Sequence, residues 1–295
     1  MGWVLAATAA ALALAAWGAQ ALVKKRLRRY MPPAPAALRH DLEFWYYGIQ
    51  PGELDQIVDD VTLVHESMWF GGVEAAIASM QRHGMRTMVT VQEQVFDGAA
   101  VRADAADRLR GLFAAFERAG VLQQVVALYL IDEPDGRSCT DDDVLRACRI
   151  ARAVALEFPA LAGVKLAVTY SYKRALPGIS GLDWVGLDDY GLGSGVLISS
   201  EWRELLARLE PHQRCYVVPG GASPWRQDPE AFRRWAHSTP QCMGVMAFMF
   251  GQRDDSGEVN DGIATNGMRG AYRALGQEIR SLRERAGLID QGVGL

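Results

Sequence analysis

From residue 41 onward the chain is a succession of short apolar runs set between longer amphipathic stretches. Eight runs rich in β-branched and aromatic residues recur: Phe44–Ile49, Val61–Val64, Thr87–Val91, Val125–Ile131, Lys165–Tyr170, Trp184–Asp188, Tyr216–Pro219 and Gly244–Phe250. Most are continuously apolar rather than alternating, the pattern of strands buried on both faces in a parallel sheet. Between them lie stretches with helical spacing. In Gly72–His83 the apolar residues Val73, Ala76, Ile77 and Met80 fall on one face. Ala103–Ala119, Asp141–Glu157, Ser200–Leu209, Pro229–His237 and Gly267–Ala286 read the same way. Thr140 before three aspartates, and Asp228 before Pro229, are helix-start signals. Eight strands alternating with helices over residues 41–287 predict an α/β fold, a (β/α)8 TIM barrel of the usual ~250 residues. An open doubly wound sheet obeys the same alternation. Such a sheet carries a glycine-rich phosphate loop after its first strand, and here that place reads Gln50-Pro51-Gly52-Glu53.

The N-terminus follows a different pattern. Trp3–Val23 is an uncharged run of Ala and Leu, long enough to cross a bilayer core of ~20 residues. Lys24, Lys25, Arg26, Arg28 and Arg29 follow it directly. A cleaved signal peptide carries its charge before a shorter run; Ala19-Gln20-Ala21 is nevertheless a small-x-small cleavage pattern. The expectation is an uncleaved transmembrane helix at 3–23, a basic and Pro-rich linker at 24–40, the barrel at 41–287 and a tail at 288–295. The protein is then a single-pass membrane protein in contact with the lipid bilayer; the basic flank favours a body in the cytoplasm but leaves the side open.

Charge divides the chain in the same place. Residues 1–40 hold six bases and no acid, whereas residues 41–295 hold 25 bases against 35 acids. A body so acidic is a poor partner for nucleic acid. Cys139, Cys148, Cys215 and Cys242 fit no zinc spacing, and no cofactor motif is present. Cys215 and Cys242 each sit at the start of a strand run and approach one another if those strands are neighbours.

In a barrel the chemistry sits at the C-terminal strand ends. Those ends supply Glu66 and Trp69 after strand two, Glu93 after three, Asp132 and Glu133 after four, and Tyr170 and Tyr172 after five. Strand six adds Asp188 and Tyr190, the loop after seven adds Trp225, and strand eight adds Phe250. The list is acidic and aromatic. Paired carboxylates perform glycosidic cleavage, and flat aromatic faces suit the C–H faces of sugar rings. Glu133 emerges straight from the apolar run Leu128–Ile131, where desolvation raises a carboxylate pKa toward that of a general acid. Period two puts Gly186, Asp188 and Tyr190 on one face, so Asp188 points inward if Tyr190 does, and is then the first choice of partner, with Glu93 the second. Strands four and six are separated by one strand, so their backbones lie roughly 10 Å apart.

The run Leu128-Tyr129-Leu130-Ile131-Asp132-Glu133-Pro134 resembles the strand-four signature of (β/α)8 glycoside hydrolases, commonly Asn-Glu-Pro, with Asp132 in the Asn place. Leu182–Tyr190 is similar to the strand-six pattern of the same clan, Asp-x-x-Gly ending in a Tyr. The resemblance implies a carbohydrate substrate, Glu133 as acid/base and no cofactor. It also implies a nucleophilic Glu at the end of strand seven, where this chain has Val217-Val218-Pro219-Gly220-Gly221. Some barrel glycosidases, including those resembling polygalactosaminidases, place the second acid on another strand. Two other readings stand beside this one. The first is a catalytically silent barrel that binds a glycan or a protein. The second is a barrel for a phosphorylated ligand, using Gly220-Gly221 and Gly251-Gln252-Arg253. Of the histidines only His65 sits at a strand end, which argues against metal hydrolysis. No lysine is placed for Schiff-base chemistry.

Overall fold

A computed structural model describes residues 35–50, 52–69, 71–171, 176–188, 200–223, 225–251 and 261–289. The segment 3–23 therefore lies outside the described residues, as do Tyr172 and Tyr190. Among the described residues no helix is long and apolar enough to cross a membrane.

Eight parallel strands form one sheet: β1 (Glu43–Tyr46), β2 (Val64–Glu66), β3 (Thr87–Thr90), β4 (Val125–Asp132), β5 (Lys165–Tyr170), β6 (Trp184–Asp188), β7 (Arg214–Val218) and β8 (Cys242–Ala247). Their order is β1-β8-β7-β6-β5-β4-β3-β2. The two ends of that order meet: Ile49 bridges Glu66, and the Thr62 N–H donates to the Phe44 carbonyl at 2.9 Å. The sheet thus curls into a near-closed barrel, and the open-sheet alternative falls. Six helices surround it: α1 (Gly72–His83), α2 (Ala105–Arg118), α3 (Asp141–Ala155), α4 (Ser200–Arg208), α5 (Pro229–Ser238) and α6 (Arg269–Arg285). Among the described residues, the connections after β1 and β5 carry single 3-10 turns, Leu54–Gln56 and Ile179–Gly181. Thr140 and Asp143 form a reciprocal capping box on α3, and Asp228 caps α5 ahead of Pro229.

The strand bounds differ from those the apolar runs suggested. β1 stops at Tyr46 because Gly48 turns the chain at φ +69°. β2 begins at Val64, since Thr62 is spent on β1 through its N–H and its hydroxyl, the latter accepting from the Phe44 N–H. A short hairpin, Phe96–Asp97 with Ala100–Val101, was not anticipated; Gly98 makes its turn at φ +59°.

Two apolar layers result. The larger lies between sheet and helices and includes Phe44, Tyr46, Val64, Leu128, Leu130, Tyr170, Val185, Leu187, Val245 and Phe250. The smaller fills the barrel and includes Trp45, Tyr47, Met88, Tyr129, Tyr216 and Met246. Rings as large as Tyr216 fit inside because Gly186 faces them: a Cβ there would come within 2.3 Å of the Tyr216 ring. At the opposite, N-terminal end, Glu43 is buried between Arg283 at 3.1 Å and Arg86 at 2.5 Å, with Thr62 donating to it. This ion cluster is far from the strand ends that build a mouth. All four cysteines are buried thiols, and Cys215 and Cys242 are register partners on β7 and β8.

Candidate active site

The mouth is best followed from β4. Along this strand Ala127 and Tyr129 face the barrel interior, while both Leu130 and Ile131 face the helices. The register to β5 slips between Tyr129 and Ile131, the mark of a β-bulge. The bulge re-aims the strand end, so Asp132 returns to the interior face. Its carboxylate accepts a hydrogen bond from the Tyr129 hydroxyl. Its backbone is held as well, the N–H donating to Gln92 Oε1 at 2.9 Å and the carbonyl accepting from Arg137 Nε at 2.7 Å.

Glu133 is the first residue past the strand. Its N–H still donates to the Thr169 carbonyl of β5 at 2.9 Å, but its φ is +46°, a left-handed conformation that costs a non-glycine residue about 1 kcal/mol. Its carboxylate Oε2 lies 3.3 Å from where a Cβ on Gly136 would stand, and Ser171 Oγ lies 3.2 Å from the same point. Glu133 is half-buried at the rim, over the turn that leads to α3. The helix itself is capped by Thr140 and Asp143, so neither Asp132 nor Glu133 serves as its cap.

On β6, Val185 and Leu187 face the helices, and Gly186 and Asp188 face inward as period two requires. Tyr216 sits between the two strand ends. Burial first, then the nearby Asp188 and Asp132 carboxylates, hold its phenol well above the ordinary tyrosine range. Its hydroxyl donates to the Val168 carbonyl at 3.0 Å and lies 2.9 Å from Thr169 Oγ1. Both aspartates therefore act on one buried phenol from the same mouth.

The opposite side of the mouth is aromatic. Trp69, Tyr47, Phe248 and Trp225 form a continuous arc with successive centroid separations of 6.2, 5.5 and 6.2 Å. Tyr47 is buried, whereas Trp69, Phe248 and Trp225 are partly exposed. Beneath them His65 packs between Tyr47 and Tyr129, at 5.1 and 4.8 Å, with Nε2 2.8 Å from Thr90 Oγ1. Burial depresses this imidazole to about 3, so it is neutral at ordinary pH.

Three residues expected at the mouth are elsewhere. Glu66 is the outward residue at the end of β2 and accepts from Ser79 on α1; burial there raises its carboxyl to about 7. Tyr170 also faces outward, its hydroxyl donating to the Pro177 carbonyl at 2.7 Å. Phe250 packs on Tyr46 at 5.2 Å in the outer layer, under the Arg269 guanidinium at 5.6 Å. In each case the parity of the strand sends the side chain to the helices. Glu93 is exposed on the helical turn Gln92–Val95, and it is its neighbour Gln92 that reaches β4. Tyr47, Gln92, Tyr129, Tyr216 and Phe248 were not among the expected site residues. The alternation Trp45/Tyr47 and Ala127/Tyr129 carried a signal for two of them.

The loop after β7 closes on itself. The Gly220 N–H donates to Gln227 Oε1 at 2.8 Å, and the Gly221 and Ala222 N–H groups donate to the Phe248 carbonyl. These donors are used within the chain, which weighs against an anion cradle at this place. Among the described residues no group of three or more His, Cys, Asp or Glu side chains could hold a metal ion.

No family model matches the chain, and no curated protein matches its sequence. Solved structures do match its shape. The β-1,3-glucanosyltransferase of Rhizomucor miehei, solved as an active-site mutant with laminaritriose, aligns over 76% of this chain and 92% of its own, with a TM-score of 0.52 at 16% identity. The barrel of these carbohydrate-active enzymes is this chain's fold. The β-glucuronidase of Faecalibacterium prausnitzii aligns over 84% of this chain with a TM-score of 0.53 at 14% identity. This chain spans about half of that larger protein, 49% of its length. At such identities the likeness extends to the barrel fold and leaves the chemistry to the residues.

Proposed function

We propose that the chain is a glycoside hydrolase-like barrel that binds and cleaves a polysaccharide or oligosaccharide, with Glu133 as general acid/base and Asp188 as its carboxylate partner. The observation that carries this reading is the division of one mouth into an aromatic arc and a carboxylate side. A sugar ring laid on Trp69, Phe248 or Trp225 turns its hydroxyls toward Asp132 and Asp188. A hydrophobic lining with a few convergent polar groups is the usual make-up of a ligand site. The rim position of Glu133, one residue beyond Asp132, suits a group that protonates a leaving oxygen from the side. With one strand between β4 and β6, the reading leans to the wider carboxyl spacing that admits a water, as in inverting enzymes.

The test is release of reducing ends from a panel of neutral, amino and acidic polysaccharides, read alongside binding of the same glycans by calorimetry. Release that vanishes in Glu133→Gln while binding persists supports hydrolysis. Binding without release by the wild type supports the silent barrel instead, the alternative favoured by the absence of an acid in Val217–Gly221. Neither binding nor release ends the carbohydrate reading.

The proposal extends to residues 3–23 as a single-pass anchor, with residues 24–40 as a stalk. The uncharged run and its basic flank support it. The flank favours a cytoplasmic body and a glycan substrate favours the other side. C-terminal reporter fusions that are active on one side only decide between them.

A further inference from the structure

Asp132 and Tyr129 occupy the same face of β4 although they are three residues apart, an odd spacing that regular strand geometry would put on opposite faces. The bulge is what brings them together. We infer that Tyr129 is a positioning residue: its phenol holds the Asp132 carboxylate ionised and turned into the mouth. The importance of this for turnover rests on the glycosidase reading above; the hydrogen bond and its effect on Asp132 do not.

The geometry around the pair is specific. Tyr129 is fully buried in the barrel, and its ring is fixed by His65 at 4.8 Å and Tyr47 at 6.2 Å. A phenol so enclosed has little freedom to turn elsewhere, and it donates to Asp132 Oδ1. A hydrogen bond donated to a carboxylate favours its charged form. Gln92 and Arg137 fix the Asp132 backbone from the β3 and β4 sides without occupying the carboxylate contact that Tyr129 makes. Among the described residues, the titratable and charged groups about the Tyr129–Asp132 pair are Tyr47 from β1 and His65 from β2, which pack on the Tyr129 ring, Glu133 and Arg137 beside Asp132 in the chain, and Tyr216 from β7, whose phenol feels both Asp132 and Asp188 of β6. The β3 and β5 faces contribute Thr90 and Thr169, which are uncharged. Of these groups, Arg137 favours the charged form through its position on the Asp132 carbonyl. Asp188 and Glu133 oppose it when ionised. Tyr129 thus keeps a carboxylate charged in an acidic mouth and fixes the direction in which it points.

The experiment is a carboxyl 13C NMR titration of the full chain labelled at aspartate, with the Asp132 signal assigned by its loss in Asp132→Asn. Tyr129→Phe keeps the ring and removes the donor; it should raise the Asp132 midpoint by about one to two pH units. Incorporation of 3-fluorotyrosine at position 129, a stronger donor of nearly the same shape, should lower it, and this second variant serves where Tyr129→Phe fails to fold. Gln92→Leu should move the midpoint much less than Tyr129→Phe. A midpoint unchanged by both Tyr129 replacements, or moved equally by Gln92→Leu, overturns the inference. Shifts as expected in a protein that neither binds nor cleaves the glycan panel uphold the role of Tyr129 and fail the glycosidase reading alone. Where hydrolysis is present, the acidic limb of the pH–rate profile should move with the NMR midpoint in Tyr129→Phe.

Discussion

The two halves of the barrel mouth differ in how they are made. The half formed by β7, β8, β1 and β2 presents Trp225, Phe248, Tyr47 and Trp69, rings that hold one another by packing. The half formed by β3 to β6 presents Asp132, Glu133 and Asp188, with Gln92, Tyr129 and Thr169 beneath. Packed rings tolerate small shifts, since contact area changes little with angle. Hydrogen-bonded carboxylates do not. Irregular backbone occurs in both halves: the bulge in β4 and the left-handed φ of Glu133 in the polar one, the left-handed φ of Arg226 beside Trp225 and the cis Phe248–Met249 peptide in the aromatic one. A left-handed φ at a non-glycine residue persists where the surroundings over-determine it, and such residues gather at functional sites. In the proposed reading the aromatic half supplies affinity and the polar half supplies chemistry.

That division fails or sharpens under four substitutions. The largest effect is expected in the polar half. Glu133→Gln should lower the rate of glycan hydrolysis by about 10²–10⁴ while leaving the binding constant within a few-fold, read by reducing-end release and calorimetry. Equal losses in rate and binding would merge the two halves.

The second prediction concerns a carboxylate that the structure assigns to neither half. Glu66 faces α1, and burial raises its carboxyl from 4.5 to about 7. A raised folded-state value means that its contribution to stability is fully present below about 4.5 and is lost as pH climbs through about 7. Glu66→Gln should therefore match the wild type near pH 4.5 and gain up to ~3 kcal/mol above neutrality, measured by urea denaturation. Glycan binding should not change. A pH-independent difference would show that the residue titrates normally.

The smallest effect belongs to the aromatic half. Trp225→Ala should weaken glycan binding about ten-fold, on the scale of one exposed sugar-stacking ring, and leave the rate at saturating substrate nearly unchanged. Phe250→Ala, in the outer layer against Tyr46, should instead cost about 3 kcal/mol of stability.

Much of this was legible beforehand, because the relevant signals are local. Continuous apolar runs of strand length gave the eight strands, and the caps at Thr140 and Asp228 were read from single residues and their neighbours. Parity ties Asp188 to the face of Tyr190, which the resemblance turns inward, and β6 is regular as far as Asp188. Position at a strand end misled where parity was not applied to it. Glu66, Tyr170 and Phe250 stand at strand ends, yet on the helix face. The β4 bulge was beyond reach, because an extra residue in one strand is defined only against its partner β5. Without the bulge, Tyr129 and Asp132 could not be seen as a pair. Gln92 and Phe248 likewise gain their meaning from residues distant in the chain.

The central claim is that one ligand engages both halves at once. The direct measurement is a crystal structure of Glu133→Gln soaked with the best-binding oligosaccharide from the panel. The account predicts a sugar ring against Trp69, Phe248 or Trp225 with a hydroxyl in hydrogen-bond distance of Asp132 or Asp188. An oligosaccharide seated away from the arc, or stacked on it with no contact to either aspartate, would contradict it.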